Sequence, residues 1–153
     1  LKKLEIKDIS YATELWDKNM CKYADTIKVF DGIPELLKKL LRLDCEMGIV
    51  TSKTREEFTH DFCQFDISHY FKTTICADDT QEHKPNAAPL LKYMQLSEIQ
   101  YEKILYIGDS EYDSKCAENA GIDFVLAVWG SHNRHIRADY FLERPVDLLS
   151  FIT

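Results

Sequence analysis

The chain has 153 residues, of which 45% are hydrophobic and 29% are charged, a composition typical of a globular protein with a real core. Its net charge of −7 offers no basic surface for nucleic acid or for anionic lipid, and no apolar run is long enough to span a membrane. The five cysteines are scattered, without a C-x-x-C pair, which favours a reduced, cytoplasmic chain over a disulfide framework or a zinc site.

Helices and strands alternate along most of the chain. Residues 9–24 carry apolar side chains at helical spacing and predict a first amphipathic helix. After a boundary near Phe30, helices are predicted over Pro34–Leu43, Arg55–Phe62, Ala87–Met94, Glu111–Ala120 and Val146–Ile152. Strands are predicted over Cys45–Val50, Thr73–Ala77, Ile104–Ile107, Phe124–Val128 and, at an edge, Ala138–Leu142. This alternation indicates an α/β fold with a Rossmann-like parallel sheet and helices on both faces.

The segment from Lys103 to Asp113 carries the strongest chemical pattern. An apolar strand ends in Gly108-Asp109 and brings Asp109 to the carboxyl edge of the sheet, where open α/β folds keep their ligands. Asp113 follows one helical turn later. Mg²⁺ takes one or two carboxylates and leaves its other positions to water and phosphate, so this pattern suits a Mg²⁺ site. The alternatives are plain turn chemistry for Gly108-Asp109 and an exposed first-turn position for Asp113.

Two further motifs precede this segment. Thr51-Ser52-Lys53 follows a predicted strand, and His83-Lys84-Pro85 precedes a predicted helix. Taken alone, Thr51 could cap a helix and Lys84 could be a solvated surface charge. The three motifs in this order resemble the haloacid dehalogenase superfamily of hydrolases, in particular its phosphoglycolate-phosphatase-like phosphatases. The similarity runs from about Asp31 to Thr153.

The resemblance implies a role for each matching residue. Thr51 corresponds to the hydroxyl that binds the phosphoryl group, with Ser52 and the following helix start as further phosphate-binding groups. Lys84 corresponds to the phosphate-binding lysine that neutralises the nucleophile and the transferring group. Asp109 corresponds to the Mg²⁺-binding acid. Asp113 corresponds to a second acid that either orients the lysine or contacts the metal shell, so it counts as both a catalytic and a metal residue.

The activity implied by the resemblance is that of a Mg²⁺-dependent phosphatase acting on a small phosphorylated metabolite. Dehalogenases displace a halide without a metal, whereas paired acids with a lysine suit a divalent cation that bridges a phosphate. The family's mechanism proceeds through an aspartyl-phosphate intermediate. Two alternatives stay open, a sugar phosphomutase and a non-catalytic phosphate- or nucleotide-binding relative that has lost the first motif. The substrate stays open too, because the family's cap makes much of that choice.

The nucleophile of that mechanism lies in an Asp-x-Asp motif, which this sequence does not contain. Asp31-Gly32 superficially echoes the motif, but Ile33 stands where the second Asp belongs and Pro34 begins a helix. By the resemblance, residues 1–30 are the end of a helical cap with its return linker, and residues 31–153 are a core that lacks its first strand. We expect the missing segment in cis or from another chain, and we expect the chain without it to be inactive.

The absent strand predicts a gap in the sheet. In the family it lies between the strand that ends at Thr51 and the strand that ends at Asp109. Without it two strand edges face each other unpaired, and each buried unpaired backbone group costs about 1–3 kcal/mol. We therefore expect either a strand-wide gap or a segment that fills it.

A basic cluster follows Trp129-Gly130. It consists of four residues, namely His132, Arg134, His135 and Arg137. Their spacing suggests no ligand set, so a solvated surface is expected there.

Overall fold

The computed structural model describes residues 8–22, 26–99 and 104–152. The chain divides into two compact units, Leu1–Phe30 and Asp31–Thr153. The described part of the first unit contains helix α1, Ile9–Lys22. The end predicted for this helix, at Ala24, lies outside the described residues.

The second unit alternates helices and strands, as the sequence predicts. Its α-helices are α2 (Ile33–Arg42), α3 (Arg55–Phe62), α4 (Ala88–Ser97) and α5 (Glu111–Ala120). Its strands are β1 (Gly48–Val50), β2 (Thr73–Ile75), β3 (Leu105–Gly108), β4 (Asp123–Ala127) and β5 (Tyr140–Leu142). Short 3₁₀ helices lie at Ser68–Tyr70 and Ala77–Asp79.

The closing helix predicted over Val146–Ile152 is present as a 3₁₀ helix at Pro145–Phe151. The two buried residues of this segment are Pro145 and Leu148. They are three residues apart, one turn of a 3₁₀ helix, and Leu148 packs in the cluster to which α2 contributes.

The described strands pair in parallel, which confirms the predicted parallel α/β fold. They form two sheets, one with the order β1-β2 and one with the order β3-β4-β5. Within the residues that the structure describes, β1 pairs with β2 and β3 pairs with β4, but β1 and β3 do not pair with each other.

Helices cover both faces of the three-stranded sheet. Phe124 and Leu126 of β4 join a buried cluster with residues of α4 and α5, such as Leu90 and Cys116. Val125, which points to the opposite face, joins a second cluster. The other buried members of this second cluster come from α2, β5 and the last 3₁₀ helix, and they are Leu36, Leu40, Leu142 and Leu148.

Burial differs between the strands. Residues Phe124 to Ala127 of β4 are at most 6% exposed, whereas Ile107 of β3 is 37% exposed. Ile49 and Val50 of β1 are also only partly buried. A parallel strand covered on both faces and paired on both edges is normally buried throughout. The low burial therefore occurs in β1 and β3. Each of these strands has one edge that is unpaired in the described residues, and we call this edge its inner edge.

The helices of the described residues include none that is long and apolar enough to cross a membrane. The cysteines whose side chains are described, Cys45, Cys63, Cys76 and Cys116, are free thiols.

Candidate active site

Thr51 lies in a tight loop that directly follows β1. Its hydroxyl oxygen accepts the backbone N–H of Lys53 at 3.2 Å. The residue that caps α3 is Thr54, which forms a reciprocal pair of hydrogen bonds with Glu57. The alternative role of Thr51 as the cap is therefore wrong, and its hydroxyl stands at the strand end beside the exposed Ser52.

Lys84 connects the end of β1 with the β3–α5 segment. Its ammonium group donates to Val50 O at 3.2 Å, to Tyr106 OH at 3.2 Å and to Asp113 Oδ1 at 2.7 Å. The lysine side chain is 10% exposed. The alternative of a solvated surface charge is therefore wrong, and the Lys84–Asp113 pair is a buried ion pair.

Helix α5 also holds the backbone of the two residues that follow Lys84, Pro85 and Asn86. The Asn119 side-chain amide donates to Pro85 O at 2.9 Å, and the Cys116 thiol donates to Asn86 O at 3.0 Å. Burial raises the pKa of the Cys116 thiol to about 11, so it remains a protonated donor at neutral pH. One helix therefore carries the acid that pairs with Lys84 and fixes the loop from which Lys84 extends.

The Asp113 carboxylate is fully hydrogen-bonded within the protein. Lys84 and Tyr106 donate to Oδ1, and the backbone N–H and hydroxyl of Ser110 donate to Oδ2 at 3.2 and 2.5 Å. Burial opposes the ionisation of Asp113. The charge of Lys84 and the hydrogen bonds from Lys84, Ser110 and Tyr106 outweigh this effect and lower the pKa of Asp113. Because it is buried, the alternative of an exposed first-turn residue is wrong.

Two glycines make room for the acids of this site. A Cβ at Gly108 would lie 2.6 Å from the Cβ of Asp113, closer than two such atoms can approach. A Cβ at Gly130 would lie 3.1 Å from Asp109 Oδ2. The glycine of Gly108-Asp109 therefore serves the packing of α5 against β3, and this requirement goes beyond turn chemistry.

Asp109 differs from Asp113 in its surroundings. It is exposed at the carboxyl end of β3, and the one hydrogen-bond donor described for its carboxylate is its own backbone N–H. Partial loss of hydration and the charge of Asp113 raise its pKa, against this hydrogen bond and the opposing charges of Lys84 and His132. A carboxylate without side-chain donors beside a second acid is a suitable ligand for a divalent cation, whereas the oxygens of Asp113 are already occupied.

Two further acids, Asp78 and Asp79, interact with Arg55. In the described part of the chain, Cys76, Asp78 and Asp79 are the one set of three potential metal ligands that lie close together. Asp78 accepts the backbone N–H of Arg55 at 3.0 Å, and Asp79 forms an ion pair with its guanidinium group. These contacts account for the two acids without a metal.

The sequence interpretation missed Tyr106, Asn119 and the part that Ser110 plays beyond starting α5. Tyr106 lies inside the apolar strand predicted over Ile104–Ile107, and no role of its own is predicted for it. The available signal is the two-residue period of a strand, which places Tyr106 on the same face as Gly108 and therefore towards Asp113.

The basic cluster is exposed, as expected. Arg134 pairs with Glu143, and Arg137 pairs with Glu118. Exposed pairs of this kind contribute little stability.

The fold and the motifs agree with a family comparison. Residues 1–127 match the family model described as haloacid dehalogenase-like hydrolase. The chain belongs to this family of hydrolases, as the resemblance implied.

Two individual relatives match most of this chain. A protein of Caldanaerobacter subterraneus subsp. tengcongensis, provisionally named pyrophosphatase PpaX, is 32% identical over 136 residues, which are 86% of this chain and 62% of that protein. Pyrophosphatase PpaX of Bacillus mycoides is 26% identical over 133 residues, with coverage of 84% and 62%. The chain therefore spans less than two thirds of the length of these relatives.

The solved structures give the same picture. A Lactobacillus plantarum protein, provisionally named phosphoglycolate phosphatase, aligns with a TM-score of 0.83 and 32% identity, over 90% of this chain and 67% of that one. A Thermotoga maritima protein with the provisional name β-phosphoglucomutase has the same TM-score at 19% identity, over 99% of this chain and 74% of that one, and shares the fold.

Proposed function

We propose that this chain provides the phosphate-binding and metal-binding groups of a Mg²⁺-dependent phosphatase that acts on a small phosphorylated metabolite. The observation that carries the proposal is the position of Lys84, whose ammonium group contacts the end of β1, β3 and α5 at once. In this position a buried positive charge lies beside the strand end that presents Thr51. Such a charge stabilises the negative oxygens of a transferring phosphoryl group.

The nucleophile in this proposal is an aspartate on a further strand between β1 and β3. The unpaired inner edges of these strands and the partial exposure of Ile49, Val50 and Ile107 support a strand at this place. Its carboxyl end would lie between Thr51 and Asp109, next to Lys84. The strand comes from the same polypeptide or from another chain. Attack of its aspartate on phosphorus forms an aspartyl-phosphate and releases the leaving group, an alcohol from a phosphate monoester or phosphate from pyrophosphate, and water then hydrolyses the aspartyl-phosphate to release phosphate.

Asp109 is the proposed Mg²⁺ ligand of this chain. No side-chain donor to its carboxylate is described, and a nearby cation would offset the raised pKa that partial dehydration and the charge of Asp113 cause. Mg²⁺ bound here would supply positive charge that neutralises the phosphate oxygens. For Asp113, which was predicted in two roles, the saturated carboxylate supports the role of orienting Lys84 over direct contact with the metal.

Thr51 and Ser52 are the proposed phosphate-binding groups at the end of β1. The hydroxyl of Thr51 is free of any capping role, so it can donate to a phosphate oxygen while it accepts the N–H of Lys53. The backbone N–H groups at the start of α3, which the resemblance also implied, already have protein acceptors, because Thr54 donates to Glu57, Arg55 to Asp78 and Glu57 to Thr54.

The names of the relatives suggest the substrates to test first, pyrophosphate and phosphoglycolate. Both carry a phosphoryl group and a second anionic group. We further propose that the protein works in the cytoplasm, an assignment that the free thiols of the described cysteines support.

A second candidate function is phosphate binding without turnover. The observation in its favour is that Asp109 and Asp113 are the acids described at this site and neither has the position of the nucleophile. The two functions differ in whether phosphate is released.

The test is phosphate release by the complete protein, which includes the strand between β1 and β3, with Mg²⁺ and with EDTA. We expect Mg²⁺-dependent release that falls by about 10²–10³-fold in Lys84→Met and in Asp109→Asn, because each variant removes a charge that acts on the transferring group. Activity that persists above half of the wild-type value in Lys84→Met would contradict the proposal.

Matched controls separate charge removal from general damage. Lys72→Met removes an exposed lysine, 72% exposed at its side chain, that pairs with Glu46. Asp66→Asn removes a fully exposed carboxylate near His69. Both control variants are expected to retain wild-type activity. Phosphate binding without release by the wild-type complete protein would favour the second candidate function.

A further inference from the structure

The hydrogen-bonding capacity of Lys84 is fully used in this structure. A lysine ammonium group has three N–H donors. They are directed at Val50 O, Tyr106 OH and Asp113 Oδ1, all within 3.2 Å. A phosphate oxygen can therefore accept an N–H of Lys84 only if one of these three partners releases it.

The three partners differ in what they lose. Asp113 carries the opposite charge and accepts the shortest of the three bonds, so releasing it separates a buried ion pair. Val50 O is a backbone acceptor for which Lys84 is the described side-chain donor. Tyr106 OH is different, because it also donates to Asp113 Oδ1 at 2.9 Å and keeps that bond when the lysine leaves.

We infer that the Tyr106 hydroxyl is a positioning group, which holds one N–H of Lys84 while the site is empty and yields it to a phosphate oxygen when the ligand binds. If a phosphate oxygen replaces Tyr106 as the acceptor of this N–H, then Lys84, Tyr106 and Asp113 all keep hydrogen-bond partners. Exchange at Asp113 leaves a buried carboxylate with one bond fewer, and exchange at Val50 leaves a backbone carbonyl without its described side-chain donor, and each loss costs free energy.

The surroundings of the tyrosine suit this role. Tyr106 lies on β3 directly opposite Phe124 of β4, and the two ring centroids are 6.1 Å apart. The ring is thus packed in the sheet while its hydroxyl reaches Lys84 and Asp113. Replacing Tyr106 with Phe keeps the packed ring and removes a single oxygen atom.

The inference rests on the proposed function, and its test uses a separate readout. Calorimetric titration of the complete protein with inorganic phosphate measures binding without turnover. In Tyr106→Phe one N–H of Lys84 is free before the ligand arrives, so no bond is exchanged. We expect the Kd for phosphate to fall by about 2- to 12-fold, the equivalent of one neutral hydrogen bond.

Steady-state kinetics add a second readout on the same variant. We expect KM and the inhibition constant of phosphate to fall together, and kcat to fall as well, because product phosphate leaves more slowly from a lysine that has no alternative acceptor. Loosening of the site by structural damage would raise KM instead. Tyr93→Phe is the matched control, because Tyr93 is a buried tyrosine that is described with no contact to Lys84, and the Kd of this variant for phosphate is expected to match the wild type.

The outcomes separate the two proposals. An unchanged or weakened affinity in Tyr106→Phe would overturn the inference and leave the proposed function in place if Lys84→Met has lost activity. Retained activity in Lys84→Met would overturn the proposed function by itself. Absence of phosphate binding by the wild-type protein would overturn the inference, since Lys84 would have no ligand to receive its N–H.

Discussion

The two sides of β3 show how sheet pairing and chemistry are divided in this molecule. Towards β4 and β5 the sheet is paired, buried and covered by helices on both faces. Towards β1 the edge is unpaired, its side chains are partly exposed, and the connection is made by Lys84. We call the first region the closed side and the second the open side. Buried apolar side chains are concentrated on the closed side, whereas the candidate active-site groups line the open side.

The largest expected effect comes from breaking the ion pair between Lys84 and Asp113. Asp113→Ala leaves a buried lysine charge without its partner, and we expect a loss of about 3–5 kcal/mol in the free energy of unfolding, measured by urea denaturation. Glu143→Ala is the control, because its pair with Arg134 is exposed and should contribute less than about 1 kcal/mol. A loss below about 1 kcal/mol in Asp113→Ala would mean that Lys84 is not held as described.

The next prediction compares one apolar side chain on each side. Leu126 of β4 is fully buried, so Leu126→Ala should cost about 2–5 kcal/mol in the chain alone and in the complete protein. Ile107→Ala should cost less in the chain alone, where Ile107 is partly exposed. It should approach the cost of Leu126→Ala once a strand covers the open side. An equally small effect of Ile107→Ala in both forms would argue against that strand.

The smallest expected effect is the change in folding stability with pH, which has opposite signs for Asp113 and Asp109. The pKa of Asp113 is lowered in the folded chain, so its contribution to stability is present above about pH 4, the ordinary value for Asp, and is lost as the pH falls further towards the folded pKa. The pKa of Asp109 is raised, so its ionisation destabilises the metal-free fold as the pH rises above about 4.

Denaturation of the metal-free protein between pH 3 and pH 7 tests both signs. Asp109→Asn should be more stable than the wild type at neutral pH, and the difference should vanish near about pH 4. Asp113→Asn should lose the part of the acid sensitivity that lies below this value. Curves for the two variants that shift in the same direction would contradict the contrast between these acids.

Much of this structure could be predicted from the sequence. The closed side follows from apolar strands, helix-start signals and Gly121 after α5, because these patterns are local. The 3₁₀ helix at Pro145–Phe151 could not, because its apolar residues also fit an α-helix and the choice depends on packing against α2.

The site was predictable in its residues but not in its contacts. Thr51, Lys84, Asp109 and Asp113 stood in motifs, whereas the Lys84–Tyr106 and Asn119–Pro85 hydrogen bonds join positions more than 20 residues apart in the sequence. Such partners have no local signature. The same holds for the saturation of Asp113, which depends on which side chains converge on its two oxygens.

The central claim is that a strand completes the open side beside Lys84, and amide hydrogen exchange on the complete protein tests it most directly. Amides of β1 and β3 should then be protected as strongly as those of β4, whereas amides on the outer edge of β5 provide the unpaired reference. Protection of β1 and β3 at the level of β4 is the predicted result. Exchange of the β1 and β3 amides at the rate of that outer edge would contradict the account.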